Sequence, residues 1–178
     1  MDEKTKKVLN RLEAQCARKE YCSSEMLSKA EKLLDKEAAR EVLESLVRDA
    51  YVSDARYAAA FAREKASLQG WGQVKIAYML GMKGISKEIV GSALKEIDAG
   101  AAGRKLDLLL LSKSRQLSGD PQRRLKLIKY ALSRGYAYDE VKEAVGRIGS
   151  EPSGEETFGG GTSVSETFGG GETFGADE

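Results

Sequence analysis

The first limit on this chain's chemistry is a missing side chain, since none of its 178 residues is histidine. Triads of the Ser-His-Asp or Cys-His kind, which pass a proton through an imidazole, are therefore excluded. Cys16 and Cys22 are six residues apart, a spacing that fits neither a C-x-x-C redox pair nor a zinc pattern. They read as reduced, structural thiols of a cytoplasmic protein. No G-x-x-x-x-G-K-[ST] phosphate loop occurs, and Gly81-Met82-Lys83-Gly84 has the spacing of a helix end instead. Before Ser150 nearly all the acids have basic neighbours at helical spacing, which favours solvated helix faces over a magnesium site. No catalytic residue, metal or cofactor is expected.

Binding chemistry is better represented. Arg56 and Arg63 are seven apart and share a helical face, and Lys75, Lys83, Arg104, Lys105, Arg115, Arg123, Arg124, Lys126 and Lys129 extend the basic series. Arg123 and Arg124 fall in the first turn of an expected helix, where the macrodipole favours anions; a bound phosphate or a partner's carboxylate would relieve them. Tyrosines at turns and helix ends accompany these cations, and Trp71, between two glycines, is the aromatic expected to be most exposed. All 29 bases precede Ser150, whereas seven of the 28 acids follow it, so a body of net charge +8 is joined to a tail of −7. Anionic partners are expected for the body.

The elements that would hold these residues are helical. Val8, Leu9, Leu12 and Cys16 lie on one face of a first helix. Ser23 or Ser24 offers a cap for a second helix holding Met26, Leu27 and Ala30, and a third begins near Lys36 with Ala39, Val42, Leu43, Leu46 and Val47 facing inward. Ser53 or Asp54 caps a helix that packs through Tyr57, Ala58, Phe61 and Leu68. A helical hairpin over 76–97 turns at Lys83-Gly84-Ile85-Ser86, where glycine supplies a positive φ and Ser86 a cap. Ala99 to Gly103 reads as a joint, and Asp120-Pro121 as the start of a helix that closes at Arg134-Gly135 before a last helix from Ala137 to Ile148.

Shifting the chain by 51 residues superimposes Ala39, Val90 and Val141, then Leu43, Leu94 and Val145, and also Gly84 and Gly135. The pattern predicts an all-α chain of three tandem three-helix repeats, over 1–50, 51–99 and 100–149, in an elongated and curved array. The run from 150 to 178, with ETFGGG at 156–161 and 166–171 and ETFG at 172–175, is expected to be a disordered acidic, glycine-rich tail. It reads either as a solubilising extension or as a tethered competitor for the body's anionic partner. The longest apolar run, Leu108 to Leu111, is too short to cross a bilayer, and residues 1–20 lack a signal core, so a soluble, unprocessed monomer is expected.

Four segments taken in order resemble a known family. Arg18-Lys19-Glu20-Tyr21-Cys22-Ser23-Ser24-Glu25-Met26-Leu27 is similar to the opening R-x-x-S-x-x-E-L motif of the RecX regulators, and Ala50 to Ala58 to their G-Y-L-[DN]-D-x-R-[FY]-A signature. Gly70 to Ile76, followed by Leu80-Gly81-Met82-Lys83-Gly84-Ile85, resembles G-x-x-[RK]-I-x-x-x-L-x-x-K-G-I, and Arg134-Gly135-Tyr136 the closing R-G-[FY]. Ala50 stands where the family has glycine, Ser53 where it has an acid or amide, and the repeated tail is outside the pattern. The resemblance implies three tandem three-helix repeats, a cytoplasmic bacterial location, and binding in the groove of the RecA filament on single-stranded DNA. Inhibition of recombination and of the co-protease activity that induces the SOS response would result. A direct DNA-binding helix-turn-helix protein acting independently of RecA is the alternative reading, and a structural adaptor without a nucleic-acid partner is a third.

Overall fold

A computed structural model describes residues 1–150. Among them are nine helices and no strand: α1 (Glu3–Cys16), α2 (Ser23–Glu31), α3 (Lys36–Arg48), α4 (Asp54–Ser67), α5 (Gln73–Met82), α6 (Lys87–Lys95), α7 (Ala99–Gln116), α8 (Arg123–Ser133) and α9 (Tyr138–Ser150). The expected acidic tail lies outside the described residues.

Capping explains most of the boundaries. A short polar side chain with extended backbone can accept from the first free N–H groups of a helix. Asp2 accepts from Thr5 N, Asp35 from Glu37 N and Ala38 N, Ser53 from Arg56 N, Ser86 from Ile89 N, and Asp98 from Ala101 N. Ahead of α9, the Glu140 carboxylate reaches back to Ala137 N at 3.0 Å. Gly84 and Gly135 take φ of 76° and 87° at the equivalent turns before α6 and α9, the left-handed conformation that glycine adopts without a Cβ penalty.

Three apolar clusters form the core. Val8, Leu12, Met26, Ala30, Ala39, Val42 and Leu46 join α1, α2 and α3, and Val52 closes them from the following loop. Ala58, Ala62, Ala66, Ile76, Leu80, Ile85, Val90 and Ala93 join α4, α5 and α6, with Cys22 inserted from the preceding group. Leu106, Leu110, Leu127, Ala131, Tyr136, Val141, Ala144 and Val145 join α7, α8 and α9. Ala39, Val90 and Val141, which coincide at the 51-residue shift, are all buried. Each third helix therefore presents the same face to its two companions.

Several expectations are corrected. Val47 and Leu68 are 48% and 75% exposed, because each sits near a helix C-terminus beyond its companions' reach. Ala99 to Gly103 form the first turns of α7 instead of a joint, since Asp98 caps them. Asp120 accepts from Gln122 N at 2.8 Å, but Pro121 and Gln122 form a turn and α8 starts at Arg123. Neither Ser23 nor Ser24 is a cap: Cys22 holds the cap position, and both serines bond to the second helical group.

Those bonds belong to a recurring joint. Neither α2 nor α5 has a side-chain cap. Instead, Ser23 N donates to Asp54 Oδ1 at 2.7 Å and Ser24 Oγ to Lys83 O at 2.6 Å, placing the end of α5 against the start of α2. One group further on, Gly72 N donates to Arg134 O at 2.9 Å and Val74 N to Gly135 O at 3.0 Å, placing the end of α8 against the start of α5. At the second joint the orphan donors at the start of α5 meet free carbonyls at the end of α8, whereas at the first a hydroxyl and a carboxylate make the link.

Candidate partner-binding surface

The joints engage several of the predicted cations. Arg56 Nε donates to Glu20 Oε1 at 3.0 Å and its Nη2 to Ala50 O at 2.8 Å, so this guanidinium ties the start of α4 to the loop before α2. Lys83 Nζ is bonded to Glu25 Oε1 and lies 5.5 Å from the Tyr57 ring centroid. The hydrogen bond that Lys83 donates to the Glu25 carboxylate raises the Lys83 pKa above the usual lysine range, against the opposing effect of burial. Both residues stabilise the joint between the first and second groups.

A second set surrounds the indole. Trp71 is half-buried and so is not the most exposed aromatic, Tyr78 and Tyr138 being 65% and 58% exposed; its edge meets Phe61 at 6.3 Å, and Phe61 stacks on Tyr57 at 6.0 Å. Lys75 Nζ is 4.3 Å and Lys65 Nζ 5.6 Å from the indole centroid. Tyr57 and Phe61 are four apart on α4, so their rings share a face, while the loop at Gly70, with φ of 61°, returns Trp71 to the same row. Sequence reasoning named Trp71, Lys75 and Lys83 but missed the ladder; the i, i+4 spacing of Tyr57, Phe61 and Lys65 was its available signal. It also missed Val74, Tyr78 and Met82, again four apart, which are 58%, 65% and 70% exposed along α5.

Arg63 and Lys105 flank a cleft of about 420 Å³ floored by Ala66, Ile97, Ala101 and Ala102, with Arg63 Nη1 3.4 Å from Glu96 Oε2. Arg104 is exposed and close enough to Asp98 to help lower its pKa, although hydrogen bonds from Ala101 N and Gly100 N do most of that work. At the far end of α7, Arg123 Nε donates to Ser114 Oγ at 2.9 Å, and Lys126 pairs with Asp120. Lys126 and then Gln122 N hold the Asp120 carboxyl below its ordinary value. The side chains of Arg115, Arg124 and Lys129 are exposed and make no hydrogen bond or ion pair among the described residues. Only part of the basic series is thus free to meet a partner.

Charge is also graded along the chain. Residues 1–50 hold eleven bases and eleven acids, 51–99 seven and five, and 100–149 eleven and five. Within 99–133, covering α7 and α8, eight bases stand against two acids, so the positive potential concentrates there. Nothing about the cysteines suggests a nucleophile. Burial pushes the Cys16 thiol up, its Sγ lies 3.8 Å from Met26 Sδ, and Cys22 is fully buried. Among the described residues no group of three or more Cys, Asp or Glu side chains could hold a metal ion, and no helix is long and apolar enough to cross a membrane.

Residues 53–94 match the family model described as RecX, second three-helix domain. The chain is 30% identical over 131 residues to the regulatory protein RecX of Chromohalobacter salexigens, covering 72% of this chain and 84% of that protein. It is 26% identical over 125 residues to the RecX of Streptococcus uberis, covering 70% of this chain but 48% of that relative, so it spans about half the streptococcal length. The crystal structure of RecX from Lactobacillus salivarius superimposes with a TM-score of 0.74 at 18% identity, over 84% of this chain and 99% of that one. At that identity the superposition speaks for the fold.

Proposed function

Because the chain belongs to the RecX family, we propose that it regulates the RecA recombinase, binding along the RecA filament on single-stranded DNA and lowering strand exchange and co-protease activity. The observation that carries this reading is the concentration of positive charge on α7 and α8, where Arg115, Arg124 and Lys129 have no acidic partner among the described residues. Cations left unpaired in this way can neutralise phosphates or the acids of a protein–DNA groove at little desolvation cost. The residues proposed to meet the filament are Arg63, Arg104, Lys105, Arg115, Arg124 and Lys129, together with Trp71 and the Lys75 ammonium that lies on its ring. Arg56, Lys83, Arg123 and Lys126 help to hold the helices in place through their bonds to Glu20, Glu25, Ser114 and Asp120. A non-enzymatic, cytoplasmic role in recombination, DNA repair and the SOS response is the physiological counterpart.

RecA filament assembly and ATPase, measured with and without the protein at stoichiometric amounts, test the proposal. Shortened filaments and reduced ATPase are expected; unchanged values overturn it. Tight binding to DNA alone with RecA unaffected would replace it by direct, RecA-independent DNA binding.

A further inference from the structure

The described chain ends beside a groove that the packing of α8 on α9 leaves open. Leu127 of α8 and Val145 and Ile148 of α9 form its apolar floor, Arg123 and Arg124 stand at its rim, and Gly149 completes the wall. Its volume of about 290 Å³ suits one or two side chains better than a metabolite. The rim favours anions, because α8 has no acid in its first turn and no side-chain cap, while Arg124 has no carboxylate partner among the described residues.

The sequence beyond Ser150 is complementary to this groove. Glu156-Thr157-Phe158, Glu166-Thr167-Phe168 and Glu172-Thr173-Phe174 repeat one pattern, a carboxylate two residues before a phenyl ring, and they hold three of the chain's four phenylalanines. No base lies beyond Ser150, so nothing within this segment competes with the arginines for its acids. Phe158 is nine residues from Gly149, a reach of up to roughly 30 Å when extended, whereas the groove wall is Gly149 itself. Phe168 and Phe174 lie further along and can return over the same distance.

We propose that the groove of Arg123, Arg124, Leu127, Val145 and Ile148 receives a Glu-Thr-Phe motif of the chain's own C-terminal segment, and that the docked segment screens α7 and α8 from an anionic partner. The phenyl ring covers the apolar floor and the carboxylate pairs with Arg124. Tethering supplies a high local concentration, and three copies triple the number of docking registers. The competition, but not the docking, rests on the anionic partner of the proposed function.

Methyl NMR of the full chain, labelled at Leu, Val and Ile, tests docking without RecA or DNA, so its failure is separable from failure of the proposed function. The Leu127, Val145 and Ile148 methyl resonances are expected to move in a Phe158→Ala, Phe168→Ala, Phe174→Ala variant. They should move less in a Glu156→Gln, Glu166→Gln, Glu172→Gln variant, and neither change should depend on protein concentration. Resonances that coincide with those of the unsubstituted chain overturn docking, and shifts that scale with concentration overturn it in favour of a second copy as the occupant. The phenylalanine variant should also bind a single-stranded oligonucleotide several-fold more tightly at low salt; equal affinity overturns the competition.

Discussion

Ala50 adopts φ of 59°, the left-handed conformation, at the position where the family signature has glycine. A Cβ in that conformation costs about 1–2 kcal/mol, part of which glycine's greater unfolded-state entropy returns. Ala50→Gly should therefore stabilise the protein by about 0.5–1 kcal/mol, read as a higher urea midpoint with an unchanged slope. Arg56 Nη2 bonds only to the carbonyl of Ala50, so this hydrogen bond survives the substitution. Tyr136 gives a second residue-scale test. It is buried, and that burial, assisted by the Glu140 charge, pushes its phenol up to about 12. The neutral phenol is the favoured folded form, so its stabilisation is complete below the unfolded pKa near 10 and is lost as pH rises from there through the folded value. Tyr136→Phe should flatten that part of the stability profile between about pH 10 and 12 in thermal melts.

At the scale of elements, the two joints share a plan but differ in tightness. A Cβ on Gly135 would lie 2.2 Å from Lys75 Cβ and 2.6 Å from Lys75 N, whereas one on Gly84, the equivalent residue, meets nothing within 4 Å. Both glycines have positive φ, so Gly84→Ala should cost about 1 kcal/mol from backbone strain alone. Gly135→Ala adds overpacking against α5 and should cost about 3 kcal/mol in equilibrium unfolding. Equal costs would show that the joint between the second and third groups yields freely. Lys83 and Glu25 are both partly exposed, so their coupling in a double-mutant cycle should be no more than about 1 kcal/mol. Both joints depend on backbone groups that no amphipathic pattern reveals. Helices and their apolar faces were legible because a 3.6-residue period and short polar caps are local properties. The joints were not, since Ser24 and Lys83 are 59 residues apart.

At the scale of the whole molecule, the charge gradient predicts a division of labour among cations that the sequence presents as one series. Replacing Arg115, Arg124 and Lys129 together by alanine should leave the melting temperature nearly unchanged and weaken binding to the RecA–DNA filament. If these residues meet phosphates, the magnitude of the log–log salt slope should fall by about 0.7 for each phosphate of single-stranded DNA that is no longer neutralised. Arg56→Ala should show the converse, a lower melting temperature with the salt slope retained, because its guanidinium is bonded to Glu20 and the Ala50 carbonyl. Equal salt slopes for the triple variant and the unsubstituted chain would remove α7 and α8 as the binding surface.

The sequence by itself determined the helical class, the three buried faces, the cap at Ser86, and the glycine turns at 84 and 135, since each depends on neighbours within about one helical turn. It also located the excess charge, because composition does not depend on folding. Which cations remain available was decided only by the tertiary structure. Arg56 finds Glu20 at a separation of 36 residues, Lys83 finds Glu25 at 58, and Arg123 turns onto Ser114, while Arg124 beside it finds no acid among the described residues. An ion pair depends on the distance between two groups in space, and that distance exists only once the helices that carry them have packed.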